Sequence, residues 1–306
     1  MQGWLERRVQ SLYEQLLRTD LDEVPTHVAV IQDGNRRYAR ERGDAVTNGH
    51  REGAETTEQV LEWCEELGIE ELTLYAFSTE NFERPADERE ALFDLIEGKL
   101  REFADADRVH ENGVCIRTLG DIERLPDRVQ EVVDYAEERT REYDSFVLNI
   151  ALAYGGRSEL LSATRRILQQ VEEGTLSPAD LDVETVESQL YDRPVRAVDL
   201  IIRTGGDERT SNFLPWYANG NEAAVYFCTP YWPEFSKPEF LRSIRTYQHR
   251  EQAWQRTRLS RALTLVKGLG DTRTEEARRI LEGSNDVPDV DGVGPALPVE
   301  DDADSA

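Results

Sequence analysis

Lysine is almost missing from this chain. Its 36 basic side chains include only Lys99, Lys237 and Lys267 as lysines, against 62 acidic groups, and the formal net charge is −26. A surface of that sign opposes nonspecific binding to nucleic acid or anionic lipid, both of which are polyanions. It suits a protein that must keep its hydration in concentrated salt, where the Debye length falls to about 3 Å. The composition therefore reads as that of a halophile's cytoplasm. Cysteine is scarce as well. Cys64, Cys115 and Cys228 stand far apart, each in an apolar run and without metal-ligand spacing. They read as reduced core residues. No apolar run approaches the ~18 residues of a membrane span, and no signal peptide is evident. A Walker P-loop with Gly-Lys-Ser/Thr is missing, and so is G-x-G-x-x-G, which argues against the usual forms of nucleotide binding.

Strands and helices alternate through most of the sequence. Short β-branched and apolar runs predict strands over 27–31, 71–77, 114–119, 146–151, 198–203 and 223–227. Helical periodicity places helices near 49–67, 87–107, 125–142, 157–173, 183–190 and 237–258. Such alternation implies an α/β fold: a central, mostly parallel six-stranded sheet flanked by helices. Residues 1–26 read as a helix and linker, with Trp4, Leu5, Val9, Leu12, Tyr13 and Leu16 forming an apolar stripe. Residues 27–260 carry the main domain. Residues 261–306 form an extension whose composition from about 283, rich in Asp, Gly and Pro, favours an acidic disordered tail. The segment 87–107 sets Leu92, Leu95, Ile96, Leu100 and Phe103 at helical spacing, a stripe for the core or for the wall of an apolar tunnel.

In an open α/β sheet, ligands bind beyond the carboxyl ends of the strands. After the first strand stands Asp33-Gly34-Asn35-Arg36-Arg37, a mixture that no packing need explains. A carboxylate can hold a metal ion, glycine and amide suit a tight turn, and guanidiniums fork onto phosphate oxygens. Gly49 and His50 stand at a predicted helix start, where free backbone N–H groups suit a phosphate. After the second strand comes the polar loop Ser78 to Pro85. After the fifth, Arg203 and Arg209 flank Gly205-Gly206, with Ser211 close by. Glu222 precedes the last strand and offers a second metal carboxylate. These residues alone reach Mg²⁺-assisted handling of a phosphorylated or diphosphorylated substrate. A phosphatase, or another Mg²⁺ phosphate enzyme on a similar sheet, stays open at that point.

Five ordered blocks carry a more specific signal. They are His27 to Arg37; Gly49-His50-x-x-Gly53; Leu74 to Pro85; Asn149-Ile150-Ala151-x-x-Tyr154-Gly155-Gly156-Arg157; and Asp199 to Leu214, followed by Trp216 and Glu222. From about residue 25 to 255 the chain resembles the cis-prenyltransferases, the undecaprenyl diphosphate synthase family. The resemblance implies a homodimeric α/β enzyme with an apolar substrate tunnel. Such an enzyme uses Mg²⁺ to condense isopentenyl diphosphate onto an allylic diphosphate, farnesyl or geranylgeranyl. The long-chain polyprenyl product is a lipid-carrier precursor of the dolichol kind.

By the same resemblance Asp33 is the essential carboxylate near metal and allylic diphosphate. Asn35 and Ser78 serve proton abstraction. Gly34, Arg37 and His50 belong to the allylic site, and Arg84, Arg203, Arg209 and Ser211 to the isopentenyl site. Asn81 and Phe82 are substrate-binding, and Glu222 is a metal carboxylate. The implied location is the cytoplasm, with peripheral contact to the membrane through the product. Nucleic acid is not an expected partner. The alternative is a non-catalytic or regulatory subunit of a heteromeric cis-prenyltransferase.

Two positions depart from the family pattern. Val46 stands where an arginine usually helps to hold the allylic diphosphate. Glu208 replaces a frequent histidine near the metal, and could itself offer oxygen to Mg²⁺.

Overall fold

The computed structural model describes residues 14–15, 17–19, 21–190, 196–218 and 223–268, with side chains to 261. The predicted N-terminal stripe from Trp4 to Leu16, Glu222 and the acidic tail all lie outside the described residues. The chain divides into two compact units, Met1–Arg250 and Glu251–Ala306. The sheet and the candidate site both belong to the first.

Six short runs form the sheet: β1 (His27–Ile31), β2 (Glu71–Tyr75), β3 (Val114–Leu119), β4 (Phe146–Ala151), β5 (Leu200–Arg203) and β6 (Ala224–Phe227). Their order is β3-β4-β2-β1-β5-β6. Every pairing is parallel. All five residues of β1 are buried, as a central strand covered on both faces requires. Alternation splits them between two cores. Val28 and Val30 join Leu72, Leu74 and Leu148 on one face. Ala29 and Ile31 join Ala151, Ile201 and Phe213 on the other.

The helices are α1 (Asn35–Arg42), α2 (Val46–Leu67), α3 (Ala86–Asp105), α4 (Asp107–Glu111), α5 (Asp127–Thr140), α6 (Gly156–Glu172), α7 (Val183–Leu190) and α8 (Lys237–Gly268). Of these, α2, α3 and α5 bury their apolar faces in the first core; Val60, Phe93 and Val132 are examples. Ala163 of α6 and Leu190 of α7 pack in the second. Two expectations change here. The arginine-rich stretch after β1 is a helix, α1, and not merely a turn. Helix α2 starts at Val46 rather than at 49, so Gly49 and His50 lie inside it and not at its free amide end.

Several polar residues of the family-like blocks hold the sheet together. Asp199 Oδ2 accepts from the backbone N–H groups of Thr26 and His27 at 2.8 and 2.9 Å, fixing the start of β1 beside β5. His27 is fully buried, with Nε2 2.7 Å from Thr73 Oγ1. Burial keeps its imidazole below the usual range and therefore neutral. Asn149, also fully buried, donates to Glu71 Oε1 at 2.6 Å and to Thr73 Oγ1 at 3.0 Å. A buried amide with satisfied donors fixes strand register more sharply than apolar packing does.

Candidate active site

The chain leaves β1 through Asp33, whose backbone is held on both sides. Its carbonyl accepts from Thr204 Oγ1 at 2.7 Å and from the Trp232 N–H at 3.0 Å. Gly34 then turns the chain with φ +106°, where an added Cβ would stand 2.5 Å from Tyr231 Cδ1. Only glycine fits that left-handed turn under an aromatic ring. The turn launches α1, so Asp33 and Arg37 lie one helical turn apart.

The Asp33 carboxylate meets two guanidiniums. Arg203 Nη2 lies 2.7 Å from Oδ2, and Arg37 Nη2 lies 3.1 Å from Oδ1. Burial raises the pKa of the carboxyl, but the Arg203 hydrogen bond and the Arg37 charge outweigh it and hold the group below its usual value. Arg203 is only 3% exposed. Its Nη1 donates to Ser211 Oγ at 2.5 Å and to the Arg209 carbonyl at 2.6 Å. Asp207 Oδ2 accepts from both Arg203 and Arg209 at 3.2 Å. Gly205, with φ +85°, passes so close to Arg37 that a Cβ would stand 2.6 Å from its Nη2. The Gly-Gly turn thus brings Arg203, Arg209 and Ser211 together and against Asp33.

A second cluster gathers around Glu88. Glu88, at the start of α3, lies 3.0 Å from Arg84 Nη1, 3.3 Å from Arg36 Nε and 3.8 Å from His50 Nε2. Burial and the neighbouring Arg84 charge lower the His50 pKa to about 4, so the ring is neutral near pH 7. Arg84 sits with His50 and Arg36, apart from the Arg203–Ser211 group.

Two cavities with part of their walls in common lie beside these clusters. One, of about 280 Å³, is polar and lined by Asp33, Gly34, Arg36, Arg37, Arg40 and Arg84, with Gln32, Asn35 and His50. Four arginines around one carboxylate reverse the sign of the whole chain locally. The other, of about 120 Å³, is apolar. Its wall includes Leu92, Leu95, Ile96, Leu100 and Phe103 of α3, together with Leu74, Ile150 and Trp232. Gln32, Asn35 and His50 line both. An arginine-lined cavity that shares part of its wall with an apolar one suits an amphiphile with a phosphorylated head.

The profile of a family described as "Putative undecaprenyl diphosphate synthase" matches residues 31–255. The chain belongs to this family, the cis-prenyltransferases. It is 64% identical over 272 residues to the geranylgeranyl-diphosphate-specific tritrans,polycis-undecaprenyl-diphosphate synthase of Halobacterium salinarum, covering 89% of this chain and 90% of the relative. The synthase of the same name from Haloarcula marismortui is 62% identical, over 88% of both chains. Among solved structures, lavandulyl diphosphate synthase from Lavandula x intermedia, in complex with dimethylallyl diphosphate, is 33% identical with a TM-score of 0.68. That match covers 73% of this chain and 95% of the other. As a cis-prenyltransferase the protein is a transferase, and the six-stranded parallel sheet flanked by helices is the architecture these relatives share.

Other site residues of the cis-prenyltransferase pattern have structural partners too. Ser78 caps the 3₁₀ turn Thr79–Glu83, and its N–H donates to Asn81 Oδ1 at 2.9 Å. Asn81 therefore fixes the loop that carries Ser78. Phe82 packs edge-on against Phe77, with centroids 5.0 Å apart, while the Arg124 guanidinium covers its ring at 4.4 Å. Asn35 Oδ1 is buried without a hydrogen-bond partner, close beneath Gly53, where a Cβ would stand 2.4 Å from it.

The donor set fits Mg²⁺, which takes one or two carboxylates and fills its remaining positions with phosphate oxygens and water. Asp33 supplies one such carboxylate at the mouth of an arginine-lined cleft. No group of three potential metal-ligating side chains occurs among the described residues. Glu208 is exposed in the Gly-Gly loop.

Asp207 and Glu88 were given no role from the sequence. Each stands four residues after a site arginine, Arg203 and Arg84 respectively, but Arg203–Asp207 spans a Gly-Gly turn and not a helix, so only their nearness in sequence to those arginines could have pointed to them.

Proposed function

We propose that this prenyltransferase elongates geranylgeranyl diphosphate by successive cis additions of isopentenyl diphosphate, giving a long-chain polyprenyl diphosphate for a lipid carrier. The single observation that carries this reading is that a polar and an apolar cavity share Asn35, His50 and Gln32 in their walls. The names of the Halobacterium and Haloarcula relatives support the geranylgeranyl primer. Both of those relatives are named as synthases, and Asp33 and Arg203 are both present and paired, so nothing favours a non-catalytic subunit.

In this reading the allylic diphosphate lies in the polar cleft against Arg37, Arg36, Arg84 and His50, with its hydrocarbon tail in the apolar cavity. Isopentenyl diphosphate binds at Arg203, Arg209 and Ser211, displacing Asp207 from the guanidiniums. Asp33, with Glu222 as the second carboxylate the family resemblance implies, would hold Mg²⁺, which would supply charge neutralisation for the leaving diphosphate. The allylic C–O bond breaks and its electron pair leaves on the diphosphate, stabilised by the fixed arginines. The double bond of isopentenyl diphosphate supplies the electrons of the new C–C bond. A proton then leaves the resulting cation for an oxygen of the released diphosphate. Asn35 Oδ1, buried and unpartnered, and the Ser78 hydroxyl are the groups we assign to guide it away. Each added unit buries more CH₂ groups along α3, at about 0.8 kcal/mol apiece, which draws the tail inward.

The protein works as a homodimer in this reading. Leu161 and Leu168 are 58% and 56% exposed and lie two turns apart on one face of α6, where a second copy would cover them. No helix among the described residues is long and apolar enough to cross a membrane. Contact with a bilayer is assigned to the product. The charge of −26 and the two haloarchaeal relatives support a halophilic setting.

The test is incubation with labelled isopentenyl diphosphate, Mg²⁺ and a panel of allylic primers in high salt, with product length as the readout. Long-chain product formed best from geranylgeranyl diphosphate is expected. Failure to extend any primer would overturn the reading, and preference for a shorter primer would overturn the primer assignment.

A further inference from the structure

We infer that Glu88 is a positioning residue that aims Arg36 and Arg84 into the diphosphate cleft. Three elements deliver a basic side chain to this one carboxylate: Arg36 from α1, His50 from α2 and Arg84 from the loop before α3. The Glu88 side chain is only 10% exposed. It sits in the first turn of α3, where the helix dipole favours a negative charge. Without it, two guanidiniums packed around a neutral imidazole would repel one another and splay apart.

The contact edges decide between an anchor and a competitor for substrate. Arg84 reaches Glu88 through Nη1, which leaves its Nε and Nη2. Arg36 Nε lies 3.3 Å from Glu88 Oε1 as an ion pair without hydrogen-bond geometry, which leaves both terminal nitrogens as a fork. Arg36, Arg84 and His50 all line the polar cleft, whereas Glu88 does not. The carboxylate therefore stands behind the cleft wall, turning each guanidinium so that free N–H groups point at the ligand. Bidentate forks held in this way suit a diphosphate.

The arrangement also gives Arg36 a function. Val46 cannot donate to a phosphate and does not line the polar cleft, whereas Arg36, held from α1, supplies a guanidinium to it. Because Glu88 opens the helix that carries Leu92, Leu95 and Leu100, one side chain sits at the joint between head-group site and apolar cavity.

The inference rests on the cleft being the diphosphate site, and its test separates the two. Binding of inorganic pyrophosphate is measured by calorimetry in high salt with Mg²⁺, beside steady-state kinetics, for the parent, Glu88→Gln and Glu88→Asp. Glu88→Gln is expected to weaken pyrophosphate binding and raise the KM for the allylic primer, each about tenfold. The kcat and the KM for isopentenyl diphosphate should stay within about twofold. Glu88→Asp should recover part of the loss. A Glu88→Gln protein that binds pyrophosphate as tightly as the parent, or more tightly, overturns the inference alone. A parent that binds no pyrophosphate overturns the reading of the cleft and this inference with it. Should Glu88→Gln fail to fold, Arg36→Lys removes the fork while keeping the charge. The same weakening is expected, and unchanged binding overturns the proposal.

Discussion

Asp33 Oδ2 and Arg203 Nη2 lie 2.7 Å apart, joining the ends of neighbouring strands β1 and β5 in one ion pair. The arginine is 3% exposed and the carboxylate 29%, so the pair is turned inward from one side and reachable by ligand from the other. Removing the acid leaves a buried guanidinium with Asp207 as its remaining carboxylate. Asp33→Ala should therefore fold, with stability lower by about 1–3 kcal/mol, and lose elongation by roughly a thousandfold or more. Thermal unfolding and steady-state elongation check both. A folded variant with near-parental turnover would refute the role given to Asp33.

Arg203 at the end of β5 and Arg37 in α1 approach that carboxylate from different elements, and their losses should differ in kind. Arg203→Ala should raise the Michaelis constant for isopentenyl diphosphate more than that for the allylic primer, by about tenfold or more. Equal effects on both constants would show that one diphosphate site, and not two, is being perturbed.

His50 gives a pH signature. Its folded pKa is lowered to about 4, first by burial and then by the Arg84 charge, from an ordinary 6.5. Between those values the unfolded chain binds a proton that the folded one does not, so stability falls as pH drops from 6.5 towards 4. His27, also lowered by burial, contributes with the same sign. His50→Gln should flatten the dependence of unfolding midpoint on pH in that window without abolishing it. Asp33 behaves differently: its lowered pKa makes its contribution present above the ordinary 3.8 and lost only as pH falls through the still lower folded value.

The apolar cavity should set chain length. Leu92 and Leu100 line it, while the neighbouring Ala91 does not. Leu92→Trp and Leu100→Trp should shorten the product, and Ala91→Trp should leave it unchanged. Chromatography of dephosphorylated products reads the result. Identical lengths from all three would return the stripe to plain core.

The exposed pair on α6 predicts an oligomer. Leu161→Arg combined with Leu168→Arg should convert a dimer to a monomer in sedimentation at matched salt, with far-UV dichroism unchanged. A parent already monomeric would remove the homodimer from the proposal.

The sheet was readable because β1 to β6 are short apolar or β-branched runs between helical periodicities, with ends at Ile31, Leu119 and Ala151 falling as expected. Helix α1 was not, because only Tyr38 and Ala39 of its eight residues are buried and no side chain caps its start. Its position depends on Tyr231 closing over Gly34, a contact nearly two hundred residues distant. The arginines of the site were legible as unusual residues at strand ends. Their acids were less so: Asp207 and Glu88 follow arginines at a spacing that any solvated helix surface also shows. Asn149 and Asp199 belong to the family-like blocks, yet their partners lie far off in the chain, Glu71 in β2 and the amides of Thr26 and His27 at the start of β1. Only pairing register separates such structural positions from chemical ones.

The three residues shared by the two cavities have a directional consequence. Asn35, Gln32 and His50 mark an abrupt step in polarity, with four arginines on one side and the α3 leucines on the other. A molecule charged at one end and oily at the other can settle across that step in only one sense, since the reverse would drive ionised oxygens among leucines at a cost of several kcal/mol. Polarity alone thus selects which end of a growing chain faces the next reactant, and the choice is made afresh at each round however long the tail has become.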